Sequence, residues 1–139
     1  MSATGDPHDI AARLSALASP VRLVFFTQTF GCETCFAARR VIDQLASLSE
    51  RLTVEEYNLV LDKDRVAEFG VDRAPAIAIV GEQDLGLRYY GVPSGHEIAP
   101  LVEAIELAAH AATGLTEDSL AALAALDRGV HLQVFVTPT

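Results

Sequence analysis

Val21-Arg22-Leu23-Val24-Phe25-Phe26-Thr27-Gln28-Thr29-Phe30-Gly31-Cys32-Glu33-Thr34-Cys35 is the stretch on which the fold turns. From Val21 to Thr27 only Arg22 interrupts a run of apolar or β-favouring residues, as expected of a central strand covered on both faces. After Gly31 the period changes. Between Cys32 and about Ser49, Ala38, Val41, Ile42, Leu45 and Leu48 share one helical face, while Arg39, Arg40, Asp43 and Gln44 fall elsewhere. A strand thus runs through two cysteines into an amphipathic helix.

Downstream, Leu52 to Leu59 reads as a second strand, parallel to the first because a helix intervenes and such crossovers are right-handed. Asp62 is placed to cap a short helix through about Phe69, and Gly70 suits its stop. Ala76 to Val80 and Leu85 to Tyr90 read as an antiparallel pair about the Gly81 to Asp84 turn. Ser94 is positioned to cap a final helix with Ile98, Leu101, Val102, Ile105 and Ala109 at helical spacing, stopping near Thr113-Gly114. Upstream, Asp6 as N-cap and Pro7 as first helical residue open a helix carrying Ile10, Leu14 and Leu17, which Ser19-Pro20 ends. The predicted class over residues 1–113 is α/β: a four-stranded mixed sheet flanked by helices, with an extra N-terminal helix.

Residues 114–139 read as a second beginning. Leu120 to Leu126 predicts an apolar helix and Val130 to Val136 a strand, and Val134-Phe135-Val136-Thr137-Pro138-Thr139 resembles Val24-Phe25-Phe26-Thr27-Gln28-Thr29 at an offset of about 110 residues. The expectation is the incomplete start of a second unit. Its strand would expose apolar surface, and self-association through it follows.

Nineteen acidic residues oppose ten basic ones, a formal net charge of −9 without basic runs, so phosphate backbones and anionic lipid are repelled. Nucleic-acid and membrane partners are therefore not expected. No basic segment followed by a continuous apolar stretch opens the chain, and the default expectation is a soluble cytoplasmic protein.

The chain has two cysteines, three positions apart. A structural disulfide closing so short a loop adds little, whereas Cys-x-x-Cys beside strand and helix patterns reads as redox-active. Unpaired N–H groups and the positive dipole end at a helix start stabilise a thiolate at Cys32, and helical spacing puts Cys35 within disulfide reach at a Cα separation of roughly 5–6 Å. The expected roles are Cys32 as attacking nucleophile and Cys35 as resolving thiol. Glu33 and Thr34 tune the pair. A negative Glu33 in the first helical turn should raise the Cys32 pKa and favour a moderately reducing couple. Ala74-Pro75 stands immediately before the third strand, where proline costs no ladder bond. A cis bond there would turn the Ala74 backbone toward a substrate strand, although trans is the commoner isomer of X-Pro bonds.

Cys32-Glu33-Thr34-Cys35, Val71-Asp72-Arg73-Ala74-Pro75-Ala76 and Arg88-Tyr89-Tyr90-Gly91-Val92-Pro93-Ser94-Gly95 together resemble the protein disulfide oxidoreductases, glutaredoxin-like proteins that join two thioredoxin-fold units in one chain. The resemblance implies a thioredoxin-like fold, a dithiol centre at Cys32 and Cys35, and a substrate-binding cis-proline at Ala74-Pro75. It further implies protein disulfide or dithiol substrates, an electron donor of the thioredoxin-reductase type, and no bound cofactor. The sequence ends before the position of the family's second Cys-x-x-Cys.

The buried acid that thioredoxins carry six residues before the first cysteine is replaced by Phe26. Glu56 would substitute as a proton acceptor for Cys35 if strand alternation carries it inward with Leu52 and Val54, while an edge or bulge would expose it, the commoner case. Arg73 is a further tuning candidate. Tyr89 and Tyr90 should face opposite sides of the sheet, one toward core and one toward solvent. Two readings compete with a general oxidoreductase. One is a carrier domain serving a single partner, as the N-terminal domain of a peroxiredoxin reductase does. The other is metal binding, which lacks ligands because His8, His96, His110 and His131 are scattered singly.

Overall fold

The computed structural model describes residues 7–137. The elements follow in the order α1 (Pro7–Ser15), β1 (Val21–Thr27), α2 (Cys35–Ala46), β2 (Leu52–Asn58), α3 (Lys63–Phe69), β3 (Ala76–Val80), β4 (Leu87–Tyr90), a 3-10 turn (Gly95–Glu97), α4 (Ile98–His110) and α5 (Glu117–Ala124). The expected cap Asp6 lies outside the described residues.

One four-stranded sheet has the order β2-β1-β3-β4. β1 and β2 run parallel, with Val21 opposite Leu52 and Thr27 opposite Asn58. β3 is antiparallel to both β1 and β4. The central position of β1 explains its unbroken apolar run, since each face packs on a separate core. Val21, Leu23 and Phe25 join Ala38, Ile42 and Leu45 of α2 and Leu101, Val102 and Ile105 of α4. Val24 and Phe26 turn the other way, onto Phe69, Val71, Ala76, Ala78 and Val80. Burial of each large side chain contributes about 1.5–3 kcal/mol, so this two-sided strand anchors the fold.

Boundaries differ from the pattern in instructive places. α2 begins at Cys35, three residues later than the spacing suggests, because Gly31 takes φ +76° and the chain stays irregular until Thr34, the N-cap. It ends at Ala46, and Ser49 is buried in the following turn. Asp62 does precede α3, but its carboxylate accepts from the Asn58 N–H at 2.6 Å instead of capping the helix. Gly70 closes α3 in the left-handed region at φ +64°. The 3-10 turn separates Ser94 from α4, and Ser94 makes no side-chain cap bond. α4 stops at His110, where Ala111 adopts φ 53°.

Beyond α4, Thr116 caps α5 by accepting from the Ser119 N–H at 3.2 Å. The expected strand Val130 to Val136 is not formed, and residues 111–137 are exposed throughout. A strand is stable only when a neighbour completes its ladder and covers one face, and among the described residues none pairs with this segment.

Three tertiary fastenings hold the helices in place. Arg13 of α1 pairs with Glu106 of α4. Arg88 of β4 donates to Asp84 and to the Phe69 carbonyl, and its hydrogen bond holds the Asp84 carboxyl below the usual carboxylate range. A third fastening is a close approach: a Cβ at Gly81 would lie 2.1 Å from the backbone oxygen of Ala108 in α4. Gly81→Ala should therefore destabilise by about 1–3 kcal/mol and lower Tm by roughly 4–12 °C in thermal unfolding. Gly129→Ala, with open space at its Cβ, should change stability by less than about 0.5 kcal/mol.

Candidate functional site

Strand register gathers four loops at one end of the sheet. β1 ends at Thr27 beside Asn58, the last residue of β2. Phe26 of β1 is opposite Ala76, the first residue of β3, which is opposite Tyr90, the last residue of β4. The β1–α2 loop with Cys32, the β2–α3 turn, Ala74-Pro75 and the segment after Tyr90 therefore meet at this end. The Gly91 N–H donates to the Pro75 carbonyl at 3.0 Å, joining the last two, and the Ala74–Pro75 bond is cis.

Cys32 and Cys35 are joined in a disulfide with a Cα separation of 5.6 Å. Cys35, the first residue of α2, is 5% exposed and Cys32, in the loop ahead of it, is partly exposed. The N–H groups of a first helical turn lack intrahelical acceptors and present a positive end. No acidic residue stands in the first turn of α2 to offset it. Glu33 precedes the N-cap and is exposed, so the expectation that it sits within the first turn is corrected.

Glu56 is exposed, and its carboxylate pairs with Arg39 Nη1 at 3.2 Å, while Arg39 Nε donates to Asp43 at 2.9 Å. The inward alternative is thus not the one adopted: at the outer strand of the sheet, α2 offers Glu56 a solvated guanidinium instead of a buried thiol. Beneath β1, Phe26 is fully buried, with ring centroids of Tyr57 and Phe69 each 5.9 Å away. Arg73 lies 4.2 Å over the Tyr90 ring, an electrostatic contact of cation with ring face, and 3.4 Å from Asp72.

Neither adjacent tyrosine is the solvent-facing one. Tyr89 packs on the α2/α4 core and Tyr90 on the Phe26 core, because both sheet faces are covered. Burial, together with bonding to Glu97, pushes the Tyr89 phenol up, so it stays protonated and supplies no base.

Sequence reasoning missed the β2–α3 turn. The Asn58 side-chain Oδ1 accepts from the N–H groups of Val60 (2.9 Å) and Leu61 (3.1 Å), and its Nδ2 donates to the Thr29 hydroxyl of the cysteine-bearing loop at 3.1 Å. The available signal was Asn58 at a strand end, four residues before Asp62, a spacing suited to side-chain-to-backbone turns.

A disulfide-linked cysteine pair at the junction of a central strand and its helix, on this sheet order, is the arrangement of the thioredoxin-like protein disulfide oxidoreductases. Comparison with known proteins agrees. No family model matches the chain. A thioredoxin of Methanocaldococcus jannaschii is 30% identical over 89 residues, covering 63% of this chain and 95% of that protein. An NADH dehydrogenase of Ferdinandcohnia aciditolerans is 42% identical over 65 residues, 47% of this chain but 10% of the relative. Among solved structures, a protein disulfide oxidoreductase from Aeropyrum pernix superposes with a TM-score of 0.75 at 29% identity over 91% of this chain and 56% of that one. The NTD_N/C domain of alkylhydroperoxide reductase AhpF from Enterococcus faecalis gives 0.69 at 20% identity, over 80% of this chain and 54% of the other. The chain belongs to the thioredoxin family. It spans little more than half the length of these two structures and a tenth of the NADH dehydrogenase.

Proposed function

We propose that this chain exchanges disulfides with protein substrates through Cys32 and Cys35. The observation that carries the reading is the disulfide itself, with one sulfur-bearing residue partly exposed ahead of a helix and the other buried at its first position. In the reducing direction, the Cys32 thiolate attacks one sulfur of a substrate disulfide, breaking that S–S bond and releasing one substrate thiolate. Cys35, deprotonated to solvent, then attacks the Cys32 sulfur. The mixed disulfide breaks, the second substrate thiolate leaves and takes up a proton, and the Cys32–Cys35 bond forms. The substrate gains two electrons, which a reductase of the thioredoxin-reductase type restores to the pair.

Ala74 and Pro75 are assigned to the substrate chain because register brings them to the disulfide end of the sheet. Glu33 and Thr34 tune the couple from between the cysteines, and Arg73 contributes charge beside the substrate loop. Glu56 is assigned no step, since its carboxylate is held by Arg39 at the surface. No helix among the described residues is long and apolar enough to cross a membrane, and a reducing compartment such as the cytoplasm suits a working dithiol. Residues 114–139 are read as the opening of a second unit, supported by the sequence repeat and by α5, with self-association as the consequence of their exposed apolar side chains.

The deciding measurement is the midpoint potential of the pair, with insulin-disulfide reduction alongside. A value near −270 mV with insulin turnover is expected for a general reductase, and one near −120 mV would overturn it in favour of an oxidant. The fold shared with the alkylhydroperoxide reductase domain supports a second reading, a carrier dedicated to one partner. Exchange confined to that partner, with insulin untouched, would select it.

A further inference from the structure

Resting on the disulfide-exchange reading, we infer that a slot beside Cys32 selects protein substrates carrying a leucine-sized apolar side chain close to the reacting cysteine. The slot lies between the β1–α2 loop and the β2–α3 turn, is lined by Gln28, Thr29, Phe30, Asn58, Val60 and Leu61, and has a volume of about 170 Å³. Phe30 is two residues from Cys32, which places its Cα within roughly 7 Å of the Cys32 Cα by chain geometry alone. A substrate disulfide reaching the Cys32 sulfur therefore brings its flanking residues to the slot.

Its lining sets the chemistry of the occupant. Phe30 is 84% exposed, Leu61 78% and Val60 55%, large apolar surfaces presented to water at the one end of the sheet where a partner must dock. The polar side chains of the lining are engaged. The Gln28 amide donates to the Phe30 carbonyl at 2.6 Å, and the Asn58 amide donates to Thr29 and accepts from the Val60 and Leu61 N–H groups. No charged residue is part of the wall. An aliphatic side chain entering the slot loses its water contacts without stripping a polar group of a partner, whereas serine gains nothing there.

Asn58 is the positioning residue. It shapes the turn that presents Val60 and Leu61 and ties that turn to the loop bearing Phe30, so the two walls are held at a set separation. This bracing makes the slot a preformed feature instead of two independent exposed loops.

The test uses the full chain, recycled by dithiothreitol, with two disulfide-linked peptides identical except for leucine or serine two residues from the cysteine, and with hydroxyethyl disulfide as a probe too small to reach the slot. The leucine peptide should show a kcat/KM roughly ten- to a hundredfold above the serine peptide, carried mainly by KM. Leu61→Asp, at an exposed position that leaves the core intact, should bring that ratio to about one when each peptide rate is taken relative to the same variant's hydroxyethyl disulfide exchange. Leu85→Asp, at the opposite end of the sheet, should preserve it. Equal kcat/KM for the two peptides, or a ratio that survives Leu61→Asp, overturns the slot and leaves the redox reading standing. Absence of exchange even with hydroxyethyl disulfide overturns the redox reading, and the slot with it.

Discussion

Replacing Cys35 with serine is expected to let the protein attack a substrate disulfide once and leave the exchange unfinished. The Cys32 thiolate would still be formed ahead of α2 and still displace one substrate sulfur, but no second thiol would stand 5.6 Å away, Cα to Cα, to release it. A mixed disulfide should accumulate at Cys32, visible by intact-mass measurement under non-reducing conditions, with turnover lowered by roughly 10³-fold or more. Cys32→Ser should abolish turnover equally and form no adduct, because Cys35 is 5% exposed and out of a substrate's reach. The two variants keep the buried volume nearly unchanged, so their circular dichroism should match the parent. Equal adduct yields from both would contradict the assignment of attacking and resolving roles, and an adduct only on Cys35 would reverse it.

The elements that could be read from residue order are those whose signal is local. The run Val21 to Thr27 announced a strand covered on both sides, and the structure supplies separate cores for its alternating side chains. The apolar stripe from Ala38 to Leu45 announced α2 for the same reason. What could not be read depended on contacts distant in sequence. The start of α2 at Cys35 turns on the loop conformation at Gly31, and the fate of Glu56 on the guanidinium that α2 lays across from it. Alternation correctly separated Tyr89 from Tyr90, yet alternation alone does not tell that the second face is also covered. Val130 to Val136 has every local property of a strand and is not one, since pairing belongs to a partner as well as to the segment. At the site, the cysteine pair stood out by type and spacing, whereas the cis bond at Ala74-Pro75 was suggested only by the family resemblance, since trans is the commoner isomer. The slot was not legible, because Phe30 and Leu61 are thirty-one positions apart and only Asn58 and the parallel pairing of β1 with β2 unite them.

Phe26 offers the second large effect, because it fills the position where thioredoxins carry a buried acid. Its ring is wholly buried between Tyr57 and Phe69 and links β1 to α3. Phe26→Ala would leave a cavity in a small core, with an expected loss of about 3–5 kcal/mol. For a chain of this size that corresponds to a Tm lower by roughly 12–20 °C, while Phe26→Leu should lose only about 1–1.5 kcal/mol. Urea unfolding of the oxidised protein measures both. Phe26→Asp separates packing from charge. Its carboxylate would enter a fully buried aromatic cluster whose Tyr57 and Phe69 rings carry the Arg65 and Arg88 guanidiniums at 5.4 and 5.7 Å from their centroids; with the rings between carboxylate and cations, burial would raise its pKa in the folded state. Below about pH 3 it is neutral in both folded and unfolded chains, and its stability should approach that of Phe26→Ala. As pH rises the unfolded chain ionises first, and the variant should lose further stability until the folded-state pKa is passed. A stability gap between the Asp and Ala variants that widens from pH 4 toward neutrality is the expected result. A gap that stays constant would mean that position 26 reaches water or a cation, and that this face of β1 can host the thioredoxin acid after all.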